Sequence, residues 1–388
     1  MDLRYTPAEE RFRSELGDWL SAAVPGLPAK PAADDWAGRR AYDTAWQRRL
    51  FDAGYAGIDW PREYGGRGAS PTEHLIFLEE CARAGAPYVG VNFVGLLHAG
   101  PTLMAAASDR QRRAHLPRIL RGDEVWCQGF SEPEAGSDLA AVTTRAVRDG
   151  ADYVVTGQKM WTSFAIVADF CELLVRTDPT AAKHRGLSWL ILPMDTPGIE
   201  IRPLRTVLGS SEFSQLFLDG VRIPVANLVG AENDGWQVTM LTLSFERGTA
   251  WVDQIVDSIE MLRELAALNR AAGNAPDIRS ELGHLAAEFD ALWALTKRSV
   301  SEAARTGIPG GSASVLKLRY TEARQRLMDL AARILGPASL SRDDVGGLPS
   351  RRFVEERINS LSYTIAAGSS QIQRNIIGER ILGLPRER

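Results

Sequence analysis

The sequence predicts a multidomain α+β protein. A helical N-terminal domain is expected over residues 1–123, a middle antiparallel, barrel-like β domain over 124–234, and a C-terminal four-helix bundle over 235–388. Two observations carry that expectation. The hydrophobic period runs from helical to strand-like and back to helical along the chain. The strand-like runs also follow one another without helices between them, as in antiparallel sheets and unlike parallel nucleotide-binding ones. No G-x-G-x-x-G follows a strand, so a dinucleotide-binding fold is not expected.

In chain order, Thr6-Pro7-Ala8-Glu9 supplies an N-cap, a first-turn proline and a capping glutamate. Phe12, Leu16, Trp19 and Leu20 line one face of the helix that follows, which ends toward Pro25-Gly26. Residues 36–53 read as a second helix closed by Gly54. Ser70-Pro71-Thr72-Glu73 repeats the capping device and starts a third helix that carries Leu75, Ile76 and Leu78 toward Gly85. The apolar window 88–107 is long enough to be weighed as a membrane span. Asn92, His98 and the Gly100-Pro101 pair interrupt it, and two short buried helices are expected instead. Strands are expected at 124–130, 143–148, 153–162, 170–177, 187–193, 199–203 and 215–222, with Asp149-Gly150 and Asp219-Gly220 as hairpin-like turns. From Gly235 onward, Leu241, Phe245, Val252, Ile255, Ile259, Leu262 and Ala266 form the stripe of one long bundle helix. Further stripes at 278–292, 314–335 and 352–366 complete the bundle.

Composition excludes several functions. The 388 residues hold 45 Lys+Arg against 49 Asp+Glu, so no basic surplus exists to bind a phosphate backbone. A hydrophobic content of 45% excludes a disordered acidic chain. Cys81, Cys127 and Cys171 are too far apart for a C-x-x-C motif and suit a reducing compartment. The charged first twenty residues offer no apolar leader, and a cytoplasmic protein without a membrane span is expected. Five scattered histidines, no H-E-x-x-H, no G-x-S-x-G and no P-loop leave no basis for a metal site or a hydrolytic triad.

Two polar runs stand out: Gly129-Phe130-Ser131-Glu132-Pro133-Glu134-Ala135-Gly136-Ser137-Asp138 after the first β-type run, and Gly157-Gln158-Lys159-Met160-Trp161-Thr162-Ser163. Each alone suits an ordinary turn, since Gly, Ser and Pro are turn residues. Their spacing between two helical thirds, together with Gly368-Ser369-Ser370-Gln371-Ile372-Gln373-Arg374, resembles the acyl-CoA dehydrogenase family over essentially the whole chain. The resemblance implies FAD as cofactor, an acyl-CoA thioester as substrate and an electron-transfer flavoprotein as acceptor. It places Phe130 and Ser131 at the pyrimidine edge of the flavin, and Gln128 where an aromatic residue is commoner. Trp161 is placed over the ring, and Ser163, in place of a threonine, near N5. Ser369 and Gln371 are implied as further cofactor contacts, and Ser137 faces the acyl-CoA side.

The family's base decides the chemistry. The glutamate that usually precedes the motif glycine is absent, and Ala367 stands there. A second solution in the family, the isovaleryl and long-chain type, takes the base from a Glu-Arg pair on the first long bundle helix, which here is Glu246-Arg247. Glu246 flanks the apolar stripe, where a plain surface glutamate would also sit. The resemblance implies that Glu246 removes the α proton while the β hydride passes to flavin N5, with Arg247 on the substrate side. The backbone N–H of residue 367 can still hold the thioester carbonyl, and the lost side chain suggests a bulky or branched acyl group, as in members acting on steroid-derived thioesters. Two further elements depart from the pattern. Residues 268–276 lack the aromatic that reaches a neighbour's FAD, and Arg333-Ile334-Leu335-Gly336-Pro337-Ala338 replaces the glutamine and paired glycines that receive the adenine half. These departures fit an α2β2 assembly with a related subunit as well as a homotetramer. A flavin monooxygenase or oxidase of the same fold, and a non-catalytic partner subunit, are the competing functions.

Overall fold

Thr6 and Ser70 cap their helices as their sequence context demands. The computed structural model describes residues 4–87, 89–245, 251–306 and 312–385. In α1 (Pro7–Ala23), the Thr6 hydroxyl accepts from the Glu9 N–H and the Glu9 carboxylate accepts from the Thr6 N–H. In α3 (Pro71–Arg83), Ser70 and Glu73 exchange the same pair of bonds. Each box satisfies two donors that a helix start otherwise leaves bare.

The chain divides into two compact units, Met1–Gly26 with Ser70–Ala86 and Arg247–Arg388, and Leu27–Ala69 with Pro87–Glu246. In the first unit, the Tyr5 hydroxyl donates to Glu79 and Arg13 pairs with Glu80, tying α1 to α3. Leu75 of α3 packs with Val252 and Val300. These belong to two bundle helices, α7 (Val252–Ala271) and α8 (Pro276–Thr306). With α9 (Ser312–Leu335) and α10 (Ser350–Tyr363) they enclose a core that includes Leu265, Phe289, Tyr320, Leu327 and Phe353. Arg324 lies buried in that bundle, its guanidinium bonded to Asp257, Glu356 and Ser258, so that the charge is neutralised where water is excluded.

The second unit holds α2 (Trp36–Asp52), α4 (Gly100–Ala106), α5 (Asp109–Arg121), α6 (Gly235–Phe245) and a sheet. Its strands are β1 (Trp126–Gly129), β2 (Arg145–Asp149), β3 (Asp152–Ser163), β4 (Phe170–Arg176), β5 (Leu187–Pro193), β6 (Ile199–Leu204), β7 (Phe213–Pro224) and β8 (Leu228–Val229). They run in the order β6-β7-β3-β2-β4-β5-β8, with β1 beside β4. Cys127, Val155, Leu173, Leu190, Leu216 and Val221 form its core.

Several features differ from the sequence-based expectation. Asp219-Gly220 is not a hairpin turn but lies inside β7, where a register shift against β3 absorbs the left-handed Gly220. The sheet is mixed and not purely antiparallel, because β1 runs parallel to β4. β2 then meets the same edge of β4 at Arg145 and Arg176, so residues 130–144 are extruded as a loop between two strands that share one edge. Gly100-Pro101 does not break its helix: a widened turn over Gly95–Ala99, closed by the Gly100 N–H on the Gly95 carbonyl, runs directly into α4 and accommodates a proline that has no N–H to give. Helix α5, rich in arginine and poor in apolar spacing, is capped by Ser108 and Gln111. The stripe from Leu241 to Ala266 belongs to two helices, α6 and α7, which fall in different units.

Candidate functional site

The two polar runs of the sequence meet in the second unit. Phe130 is buried at the end of β1, and Ser131 is half-buried at the start of the extruded loop. The Met160 N–H of β3 donates to the Ser131 carbonyl at 2.9 Å, and the Lys159 ammonium donates to the Phe130 carbonyl at 3.0 Å. Lys159 also reaches the Glu132 carboxylate at 2.9 Å. Burial alone would raise the Glu132 carboxyl, but the Lys159 charge and the bonds from Thr143 and Thr144 hold it down to about 2. Burial pulls the Lys159 pKa below its ordinary value against the attraction of Glu132.

Trp161 sits in a break in the β3–β7 register between Lys159 and Thr162. Its φ of +61° is left-handed backbone, which a non-glycine residue rarely adopts. The bulge turns the indole outward, 56% exposed, with the Phe213 ring nearly perpendicular to it at 5.8 Å between centroids. Thr162 is buried, and Ser163 returns to the outward face. Phe164 repeats the left-handed backbone at φ +61°. Strain of this kind, of order 1–3 kcal/mol per residue, persists where the surroundings fix it and clusters at sites of function.

Gln128 is differently employed. Its amide donates to Glu172 at 2.7 Å and lies 3.1 Å from His98 Nδ1, in a cluster where Glu172 and His98 are buried. Ser137 lies exposed at the middle of the extruded loop, and Asp138 beside it pairs with Lys183.

The C-terminal motif belongs to the first unit. Ala367 is exposed at φ +53° and is followed by Gly368 at φ +81°. Gln373 donates to the carbonyls of both residues, and the Lys317 ammonium donates to Gly368 O at 2.7 Å. Burial pulls Lys317 down to about 8. Ser369 spends its hydroxyl capping α11 (Ser370–Ile376), and Gln371 is exposed. Sequence reasoning did not assign a role to Gln373 or Lys317, nor to Glu132 or Lys159. The first two grip the turn that carries residue 367, and only the fold brings Lys317 to it. Glu246 and Arg247 lie outside the described residues. Among the described residues, no group of histidine, cysteine, aspartate and glutamate side chains could hold a metal, and no helix is long and apolar enough to cross a membrane. All three cysteines are free thiols.

Family models for the acyl-CoA dehydrogenase N-terminal, middle and C-terminal domains match residues 6–123, 127–221 and 233–382. The chain belongs to the acyl-CoA dehydrogenase family. It is 40% identical to acyl-CoA dehydrogenase IpdE1 of Mycobacterium tuberculosis, over 97% of this chain and 98% of that protein. Among solved structures, it matches a chain of the ChsE4-ChsE5 complex from Mycobacterium tuberculosis with a TM-score of 0.86 at 36% identity, covering 100% of both chains. It matches a chain of the Tcur3481-Tcur3483 steroid ACAD with a TM-score of 0.85 at 32% identity, again covering 100% of both. This acyl-CoA dehydrogenase is therefore an oxidoreductase of a family whose cofactor is FAD. The second unit suits that cofactor: a strained bulge presents a largely exposed indole with the Ser163 hydroxyl two residues on, and an isoalloxazine ring needs a flat apolar surface and a polar contact of that kind.

Proposed function

We propose that this acyl-CoA dehydrogenase oxidises the Cα–Cβ bond of a bulky or ring-bearing acyl-CoA, with Glu246 as the base and a related subunit completing the enzyme. The observation that carries the reading is the turn at residue 367. Where most members hold the base, this chain has an exposed alanine, yet the left-handed turn is kept and gripped from two sides by Lys317 and Gln373. A turn that had lost all function would not need those anchors. Its N–H at 367 has no acceptor among the backbone hydrogen bonds of the described residues and is free to hold a thioester carbonyl. Glu246 takes the α proton, and an alanine in place of a glutamate leaves room for a wide acyl group. Bound FAD supplies the acceptor for the β hydride. Phe130 and Ser131 hold the flavin edge, Trp161 and Ser163 its face, and Gln128, tied into the Glu172 cluster, backs the same strand end. Ser369 and Gln371 meet the cofactor from the C-terminal motif, while Ser137 and Arg247 serve the substrate.

Support for a related partner comes from Arg333 and the turn at 272–275. Arg333 is committed to Glu281 and Asp277 of α8, so it cannot stand in for the missing adenine-side glutamine. The α7–α8 connection is a tight turn with Asn274 at φ +56° and no aromatic side chain. A relative crystallised as the ChsE4-ChsE5 complex points the same way. We assign an electron-transfer flavoprotein as the acceptor, on family grounds alone.

Glu246→Gln tests the assignment. The expected outcome is retained flavin with a fall in dehydrogenation of about 10³-fold, the scale of a lost general base. Retained activity would remove Glu246 from the reaction and leave the chain as the non-catalytic member of its assembly.

A further inference from the structure

We propose that the buried Glu132–Lys159 pair is a positioning device that sets the flavin edge and the acyl-CoA loop together. The proposal rests on the placement of Phe130 and Ser131 at the flavin edge and Ser137 on the acyl-CoA side. Each oxygen of Glu132 is doubly engaged. One accepts from the Thr143 N–H at 2.7 Å and the Thr143 hydroxyl at 2.8 Å. The other accepts from the Thr144 N–H at 2.9 Å and the Lys159 ammonium at 2.9 Å. A carboxylate offers about four acceptor positions, so this one is saturated.

The connectivity matters more than the energy. Glu132 and Thr143–Thr144 are the two ends of the loop extruded between β1 and β2, so a single carboxylate closes the loop at its base. Ser137 is carried at the exposed middle of that loop. Lys159 carries the same charge centre across to the Phe130 carbonyl, while its neighbour Met160 holds Ser131. The two motifs are therefore joined through one fully buried ammonium. A buried ion pair gains little stability over an apolar pair of the same volume. Only donors and acceptors, however, can hold one carbonyl and three loop donors at fixed positions, which accounts for charge in this core. Glutamine at 132 would point an NH₂ group at donors whichever way its amide turned. Lys159→Met would leave the carboxylate buried with no counter-charge.

Four variants of the FAD-loaded protein test the device: Thr143→Val, Glu132→Gln, Gln111→Leu as a control for general destabilisation, and Trp161→Ala as a control for the flavin assignment. Gln111 is buried in the same unit and bonds to Ala226 and Leu228, outside the loop. The readouts are the rate of FAD release, the fine structure of the visible flavin band, and the dissociation constant of free coenzyme A. Thr143→Val keeps both charges and removes one hydroxyl, so it decides the matter if Glu132→Gln does not fold. Loss of one bond to a charged group is expected to speed FAD release and weaken coenzyme A binding together, each by about tenfold. Wild-type values for both in folded Thr143→Val overturn the proposal. So does a change in one without the other, and so does an equal change in Gln111→Leu at the same loss of thermal stability. If Trp161→Ala also leaves release and spectrum unchanged, the flavin assignment has failed and the device loses its object.

Discussion

At Ala367 a single backbone angle separates two effects of one substitution. The residue is exposed and left-handed, so its methyl group costs conformational energy and gains little packing. Ala367→Gly is expected to raise stability by about 0.5–1 kcal/mol, with the steady-state constants unchanged because the N–H stays in place. Thermal unfolding together with initial rates checks both halves. Glu132 makes a pH-dependent prediction. Its carboxyl is held near 2, below the ordinary 4.5, so its stabilisation is complete above pH 4.5 and is lost as pH falls from there toward 2. The gap in denaturant midpoint between wild type and Glu132→Gln should be full at pH 6, shrink as pH falls below 4.5 and close only near pH 2, where the folded side chain is itself protonated and comes to resemble the amide. A constant gap would remove ionisation from its cause. Residues of this kind were hard to read in advance. Glu132 and Lys159 were visible inside their motifs, but nothing local says that a lysine on one strand will be sealed against a carboxylate 27 positions earlier.

The elements were legible where a local rule dominates. Thr6 and Ser70, each followed by proline and a glutamate at the third position, announced their helices, and the caps formed as written. The Asp149-Gly150 turn joins β2 to β3 as expected and most strand ends shifted by a residue or two, but Asp219-Gly220 proved to lie inside β7, where its pairing with β3 changes register. Strand direction was not legible, because the parallel partner of β1 lies more than forty residues away and alternation is the same in both orientations. The stretch 88–107 was misjudged for a physical reason: glycine and proline usually interrupt a helix, but here Gly100 is required by its neighbour. A Cβ at position 100 would lie 2.2 Å from the Trp60 ring, and the Trp60 indole also donates to the Leu96 carbonyl inside the widened turn. Gly100→Ala must therefore push a buried tryptophan and break that bond. A loss of roughly 2 kcal/mol or more is expected, read as a shift in the denaturant midpoint. A neutral result would mean that the widened turn can move away from Trp60 without cost.

For the whole molecule, the family could be read from the order of helical, strand and helical segments together with three short motifs, because those motifs are local. The assembly could not, since it depends on what is missing at 268–276 and 333–338 and on surface that only folding defines. Leu361 and Ile365 lie one turn apart around the end of α10, 59% and 72% exposed. Apolar exposure of that extent on a helix end marks an interaction surface more often than free surface. With the adenine-side elements altered, we expect this surface to take the related subunit that completes FAD binding. The double variant Leu361→Lys with Ile365→Lys should fold normally, because both side chains point away from the bundle core. It should fail to join that subunit and should lose FAD on gel filtration. Native mass and the flavin count per chain are the measurements. A variant that still assembles and keeps its flavin would move the partner's seat elsewhere on the chain. One that stays single yet holds FAD at full occupancy would show that the altered adenine-side residues suffice, and the second subunit would then be needed for something other than the cofactor.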